Sequence, residues 1–530
     1  MMKHIWGIIV LTFLCICANG QSDNWINIVK MGGQPDGKKI ITEALNKASQ
    51  QIAAQGGGTI YFPAGEYLTG PIRLKSNTTL YLDAGAILRF SDNFDDYLPY
   101  VEMRWEGVVM KSFNPLISAK DAENITITGR GTIDGQGKKW WDETLKNVAE
   151  IRETGKVKSE NKWQKLWVKE NPGLEVSDYY KQTLERKFFR PPFIQTYRCK
   201  NVRIEGITIQ NSPFWTVNPE FCDNVTVTGV TIFNPESPNT DGINPESCKN
   251  VHISDCHISV GDDCITIKSG RDADGRKYNV PCENITITNC TMLNGHGGVV
   301  IGSEMSGGVK NVVISNCIFD GTDRGIRLKT MRGRGGVVEN IRVSNIIMKN
   351  ILTEAIVFNM FYGKTEEGPV SIETPCFRNF HLSNITGINV NQACKIDGLP
   401  EMPVSEITFS NINMDAKIGF EVSNCNQLEL HDINVRTSGG PVVSLSNTEN
   451  VILDNIRTTE PLSDTPLLKI RNGKNLFIHS CFPQKGTGVF LSADGNQSGN
   501  IVLQNNNFSG TKEVVKTGNE IPASAIVIKP

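Results

Sequence analysis

The chain has 530 residues, enough for a large buried core, and a net charge of −2 from 54 basic and 56 acidic residues. With no basic domain or tail, nucleic acid is excluded as the expected partner. Length alone suggests several domains, but a repeat architecture can be one continuous body of this size.

Residues 1–20 begin with Lys3 and His4, run apolar from Ile5 to Cys17, and end in Ala18-Asn19-Gly20. This reads as a secretory signal peptide, too short for a membrane span. Bulky residues before Cys15 and Cys17 argue against a lipoprotein anchor. No later stretch is apolar enough to cross a membrane. The expected location is periplasmic or extracellular.

Residues 21–123 read as an N-terminal cap and first coils. Ile40 to Ala54 places Ile40, Ile41, Ala44, Leu45, Ala48 and Ile52 at helical spacing, which predicts one amphipathic capping helix ended by Gly56-Gly57-Gly58. Solenoids need such caps because their end coils expose apolar surface and strand edges. Short strands follow at Thr59–Phe62, Tyr67–Leu68, Thr79–Leu82 and Ile87–Phe90.

Residues 124–530 carry a repeat. It opens at Asn124-Ile125-Thr126-Ile127 and returns at Asn201, Asn224, Asn250, Asn284, Asn311, Asn340 and Asn379, with weaker copies to Ile501. Each copy alternates apolar and polar residues, so side chains point alternately inward and outward. Asparagine recurs at the corners, where it tolerates left-handed backbone and can bond to the next coil. The expectation is an all-β fold, a single-stranded right-handed parallel β-helix. A propeller blade would need a longer repeat. The N-x-S/T sites at Asn124 and Asn284 are repeat corners, so they are not read as glycosylation signals.

Twelve of the 14 cysteines lie beyond the signal. Cys199, Cys222, Cys248 and Cys282 each precede a repeat asparagine by two residues, and Cys256, Cys290 and Cys317 follow one by six. Such columns predict buried free thiols rather than a disulfide framework. Residues 138–190 break the repeat with Trp140, Trp141, Trp163, Trp167, Tyr179 and Tyr180. This partly helical insertion is either a surface excursion packed on the solenoid or an aromatic wall over a sugar-binding groove.

The chemistry concentrates in residues 239–362. Four polar clusters recur there: Asn239-Thr240-Asp241, Gly261-Asp262-Asp263-Cys264, Gly295-His296-Gly297-Gly298 and Arg327-Leu328-Lys329. Asp241 and Asp262 are 21 residues apart, Asp263 and His296 are 33, and His296 and Arg327 are 31. If each interval is one coil, the clusters stack on one face at ~5 Å per coil. Each cluster alone is weak, since an Asp-Asp pair is usually a turn. Four in successive coils are not. Hydrolysis of a glycosidic bond needs one carboxylic acid to protonate the leaving oxygen and a second carboxylate to activate water or attack carbon. Crowded like charges raise the pKa of one of them. Asp262 and Asp263 can both serve only if the backbone bends, which Gly261 permits. Arg327 and Lys329 suit a uronic acid, or simply neutralise the aspartates.

In this order on a β-helix repeat, the clusters resemble family 28 of the glycoside hydrolases, the polygalacturonases and their relatives. Phe62-Pro63-Ala64-Gly65, Leu68-Thr69-Gly70-Pro71, Arg104-Trp105-Glu106-Gly107 and Ile133-Asp134-Gly135-Gln136-Gly137 are similar to segments of bacterial members. Asn211-Ser212-Pro213-Phe214-Trp215 followed by Asn218-Pro219 resembles a stretch in which histidine often replaces Asn218. The resemblance implies metal-free, cofactor-free inverting hydrolysis of pectic galacturonan. It implies Asp262 as general acid, Asp241 and Asp263 as activators of water, and His296 as a tuning group. Asn239, Arg327, Lys329 and, in Phe358-Asn359-Met360-Phe361-Tyr362, Tyr362 would bind substrate. Inverting enzymes hold their carboxyl groups ~6.5–9.5 Å apart. Insertions such as 138–190 are typical of exo-acting relatives, so exo action is expected, from a monomer. Three other readings are open: a rhamnogalacturonan or xylogalacturonan hydrolase, a calcium-dependent pectate lyase using the aspartates as ligands, and a non-catalytic carbohydrate-binding solenoid.

Overall fold

The computed structural model describes residues 24–174, 187–363 and 366–530. The signal peptide, Tyr179 and Tyr180 lie outside these residues. The described chain winds into a right-handed parallel β-helix whose coils stack in register.

Three inward columns show how the alternating pattern builds the core. One runs Ile125, Val202, Val225, Val251, Ile285, Val312, Ile341, Phe380, Ile407, each paired in parallel with the next. A second runs Ile133, Ile209, Ile232, Ile258, Met292, Phe319, Met348. A third runs Ile194, Val217, Ile243, Ile265, Val299, Ile326, Ile356 and continues to Leu491. All are buried, and each such side chain stabilises the fold by about 1.5–3 kcal/mol.

At one corner the repeat asparagines form a ladder. Asn124 donates to Asn77, Asn201 to Asn124 and Asn224 to Asn201, at 2.7–2.9 Å. Beyond Asn250 the ladder resumes through Asn284, Asn311, Asn340 and Asn379. Each has φ between 55° and 61°, the left-handed corner that asparagine tolerates.

The capping helix α1 spans Thr42–Ala54 and buries Leu45, Ala48 and Ile52 over the first coils. It starts two residues later than the periodicity suggests. Ile40 belongs instead to the strand Asp36–Ile40, where it pairs with Leu68 and stays exposed. The insertion forms α2 (Lys138–Thr154) and α3 (Lys162–Glu170). Trp140 is fully buried against Phe94, Tyr97 and Phe113, and Trp167 packs on Phe189. None of its described residues lines the cavity that holds Asp241, Asp262 and Asp263, so its four tryptophans form a buttress rather than an aromatic wall. A two-stranded antiparallel hairpin, Val101–Trp105 with Val108–Ser112, leans on it. The twelve described cysteines are free, with Cys199, Cys222, Cys248 and Cys282 stacked so that each of the first three backbone N–H groups points at the next sulfur, 3.4 Å away. No helix among the described residues is long and apolar enough to cross a membrane.

Candidate active site

The third column carries the chemistry. Asp241 lies just before Ile243, which bridges Val217 and Ile265. Its backbone is tied to both neighbouring coils, through Thr216 N–H to the Asp241 carbonyl and Gly242 N–H to the Asp263 carbonyl. The strand Asp263–Ile267 begins one residue after Asp262. Asp262 therefore sits in the bend while Asp263 is the first strand residue, and the two neighbours need not point to opposite faces. Gly261 permits the bend, because a Cβ there would meet the Ser237 carbonyl at 2.1 Å. His296 is fixed to Asp262 twice. Its N–H donates to the Asp262 carbonyl at 2.9 Å, and its Nδ1 lies 3.2 Å from Asp262 Oδ1.

Lys329 Nζ stands 2.7 Å from Asp263 Oδ2, and Arg327 Nη1 stands 3.4 Å from Asp263 Oδ1. The Arg327 side chain passes the intervening coil beside Gly297. A Cβ at 297 would sit 3.4 Å from Asp263 Oδ1 and 3.7 Å from Arg327 Cδ, so a larger residue would occupy that passage. Tyr362 closes the same side, with its ring 5.7 Å from the Arg327 guanidinium and 5.5 Å from Lys329 Nζ. Asp241 accepts from Asn244 at 2.6 Å and lies 3.7 Å from Lys268 Nζ.

All eight residues singled out in the sequence line one cavity of about 300 Å³. Asn218 does not. It is buried on the strand Val217–Glu220, donating to the Asn244 carbonyl and accepting from Gln195, which also donates to the Arg104 carbonyl of the hairpin. The cavity also holds residues the sequence reading missed: Glu106, Trp215, Lys268, Arg271, Ser303 and Glu304. Lys268 bonds Glu304 at 2.7 Å and stands 4.5 Å over the Trp215 ring. Arg271 pairs with Glu304 and with Glu106, and Asn239 donates to Glu106 at 2.9 Å. Glu106 and Trp215 lie in segments that the sequence marked as family-like without assigning them a site role, whereas Lys268, Arg271, Ser303 and Glu304 carried no such mark.

Electrostatics divides the three carboxyls. Burial, and after it the charge of Asp262, pushes Asp241 well above the ordinary carboxylate range against the pull of Lys268. Burial acts likewise on Asp263, but Lys329, Arg327 and Lys268 outweigh it and hold Asp263 below its ordinary value. The hydrogen bond to Asp262 raises the His296 imidazole against the effect of burial. Asp263 is thus held ionised, while Asp241 is pushed toward its protonated form. The Asp262 side chain is 18 % exposed, against 3 % for Asp241 and 1 % for Asp263, so Asp262 is the member open to a ligand.

One oxygen from each aspartate lies within 4.8 Å of the others. Such a nearest-atom approach follows from adjacent coils standing one hydrogen-bonded strand spacing apart. The same trio is the cation-ligand candidate among the described residues. Calcium takes six to eight oxygens, whereas here Lys329, Arg327 and Lys268 already stand against the carboxylates, and their charge opposes a divalent ion.

Residues 173–432 match the family described as glycosyl hydrolases family 28, and residues 25–173 match rhamnogalacturonase A/epimerase, pectate lyase-like. A probable polygalacturonase of Vitis vinifera is 31% identical over 400 residues, covering 73% of this chain and 74% of the relative. An endo-polygalacturonase of Pectobacterium carotovorum is 30% identical, covering 72% of this chain and 85% of the relative. Among solved structures, an exopolygalacturonase from Thermotoga maritima superposes with TM-score 0.67 at 33% identity, covering 78% of this chain and 92% of its own.

Proposed function

Since the chain belongs to glycosyl hydrolase family 28 and is a hydrolase of the polygalacturonase type, we propose that it is exported and cleaves α-1,4-galacturonosidic bonds of pectic chains by an exo-acting, inverting acid/base mechanism. The observation that carries this reading is the stacked trio of carboxyls faced by Arg327 and Lys329 in one cavity. Asp262, the exposed member, is the general acid that protonates the leaving oxygen. Asp263, held ionised, takes the proton of the attacking water, which Asp241 beside it helps to position. His296 steadies the Asp262 carboxylate between turnovers. Arg327 and Lys329 hold Asp263 and offer their remaining donors to a uronate, with Tyr362 beside them.

Exo action rests on the hairpin Val101–Ser112, which ends one side of the cavity and is braced by the insertion. Relatives of both modes exist, so the product pattern decides. The experiment is a chromatographic time course on de-esterified polygalacturonate with chelator present, beside Asp262→Asn. Galacturonic acid alone from the parent, and nothing from the variant, is expected. A ladder of oligomers would sink exo action. Dependence on calcium with an unsaturated product would replace hydrolysis by elimination. Proton NMR of the first product distinguishes inversion, which gives the β anomer, from retention. The N-terminal match to rhamnogalacturonase-like proteins favours one second reading, a branched pectic substrate, tested by running rhamnogalacturonan in parallel.

A further inference from the structure

Glu106 and Gly107 form the two-residue turn of the hairpin, with Trp105 paired to Val108. Both have positive φ, 43° and 84°, as a primed hairpin turn requires. Asparagine, aspartate or glycine normally fills the first of these positions. A glutamate there is held in a sparsely populated conformation, and such outliers point to function.

The turn is fixed as a wall. The Arg104 guanidinium is fully buried, 3.4 Å from Glu246 and donating to Ser247 at 3.1 Å. Trp105 stacks on Phe214 with centroids 4.8 Å apart, and its indole N–H donates to the Arg190 carbonyl. A Cβ on Gly107 would meet Arg271 at 2.8 Å, so the tip lies directly against the coil bearing Arg271. Glu106 lines the cavity with its carboxylate held by Asn239 and Arg271. The cations Arg327 and Lys329 come from coils on the far side of the aspartates.

We propose that Glu106 reads the non-reducing end of the chain, accepting hydrogen bonds from the terminal sugar's hydroxyls and repelling any preceding uronate. The assignment rests on the galacturonan-hydrolase reading above. A pyranose whose anomeric carbon faces the carboxyl trio turns C4, across the ring, toward the opposite wall. Only a chain end carries a free hydroxyl there. An internal residue would drive the next sugar and its carboxylate into Glu106. The polyanionic remainder of the chain leaves on the cationic side.

The test uses reducing-end-labelled trigalacturonate and its analogue with a 4,5-unsaturated non-reducing residue, which lacks the 4-hydroxyl. Parent enzyme should release unlabelled monomer and prefer the saturated substrate by about 10–100-fold in kcat/KM, the scale of a charge-assisted hydrogen bond. In Glu106→Gln, and in Glu106→Ala if both melt like the parent, that preference should collapse to within about threefold (below ~1 kcal/mol), and polygalacturonate should yield oligomers beside monomer. Glu106→Asn, better suited to the positive φ, provides a folded control if either variant melts early. Unchanged preference in a folded variant overturns the assignment. A parent that releases labelled monomer, or oligomers from the start, overturns the exo reading itself and this assignment with it. A parent inactive on every galacturonan overturns the hydrolase reading first.

Discussion

Lys329 places its ammonium 2.7 Å from the Asp263 carboxylate across 66 residues of sequence. Both groups are almost fully buried, so the pair behaves as an interior ion pair. Removing one member of such a pair strands the other, at a cost of about 3–5 kcal/mol.

Lys329→Met should therefore lower stability at neutral pH by about 3 kcal/mol, softened by the second cation at Arg327. The sign of its pH dependence follows from Asp263, whose pKa is depressed in the folded state. The stabilisation is present above the unfolded value of ~3.9 and is lost as pH falls through the lower folded value. Urea melts of parent and variant should converge toward acid pH. A constant gap would mean that the loss is packing rather than charge.

His296→Ala should reduce kcat by about 10²-fold or more, the low end of a general acid–base contribution. The hydrogen bond to Asp262 raises the imidazole, so its cationic form persists to higher pH beside the acid. The basic limb of the parent's pH–rate profile should follow the loss of that cation, and should move in the variant. For stability the sign is opposite to that of Asp263. The raised His296 pKa gives a contribution present below ~6.5 and lost as pH rises through the folded value. A basic limb that stays in place would remove His296 from control of the acid.

Trp105→Ala should cost about 3–5 kcal/mol of local packing, because the ring stacks on Phe214 and meets Phe189 edge-on. The hairpin Val101–Ser112 should become a site of limited proteolysis while the coils remain protected. Cleavage elsewhere first would show that the hairpin is not the element Trp105 holds.

The described cysteines are free and, apart from the half-exposed Cys376, buried. Burial pushes the Cys282 thiol up to about 12, where little nucleophilic thiolate exists at neutral pH. On the chain without residues 1–20, a thiol reagent should be nearly silent in the native state and count twelve thiols after denaturation without reductant. A lower count would reveal bridges between neighbouring coils.

The carboxyl column was legible because period-two alternation, corner asparagines and coil-length spacing are all local signals. Asp241, Asp262, Asp263, His296, Arg327 and Lys329 could be stacked from their intervals alone. Glu106 was not legible as a site residue. It reaches Asn239 from 133 positions upstream, on a hairpin that does not share the repeat. Lys268 and Glu304 look like ordinary strand-edge charges until their 2.7 Å pairing under Asp241 is seen. The insertion misled in the other direction. Tryptophans in a charged segment suggest sugar platforms, yet Trp140 and Trp167 fill hydrophobic gaps.

One rung of the asparagine ladder joins Asn124 to Asn201, 77 residues apart, and the next joins Asn201 to Asn224, only 23 apart. The bond lengths are 2.9 and 2.8 Å. The corner amides therefore act as a pitch gauge that does not register how much chain lies between them. Two helices can be inserted within one turn without advancing the next by a fraction of a strand. Loop length and catalytic alignment are thus independently variable. New sequence can be accepted at the coil corners beside the cavity, altering which sugars enter, while the aspartates below keep their spacing.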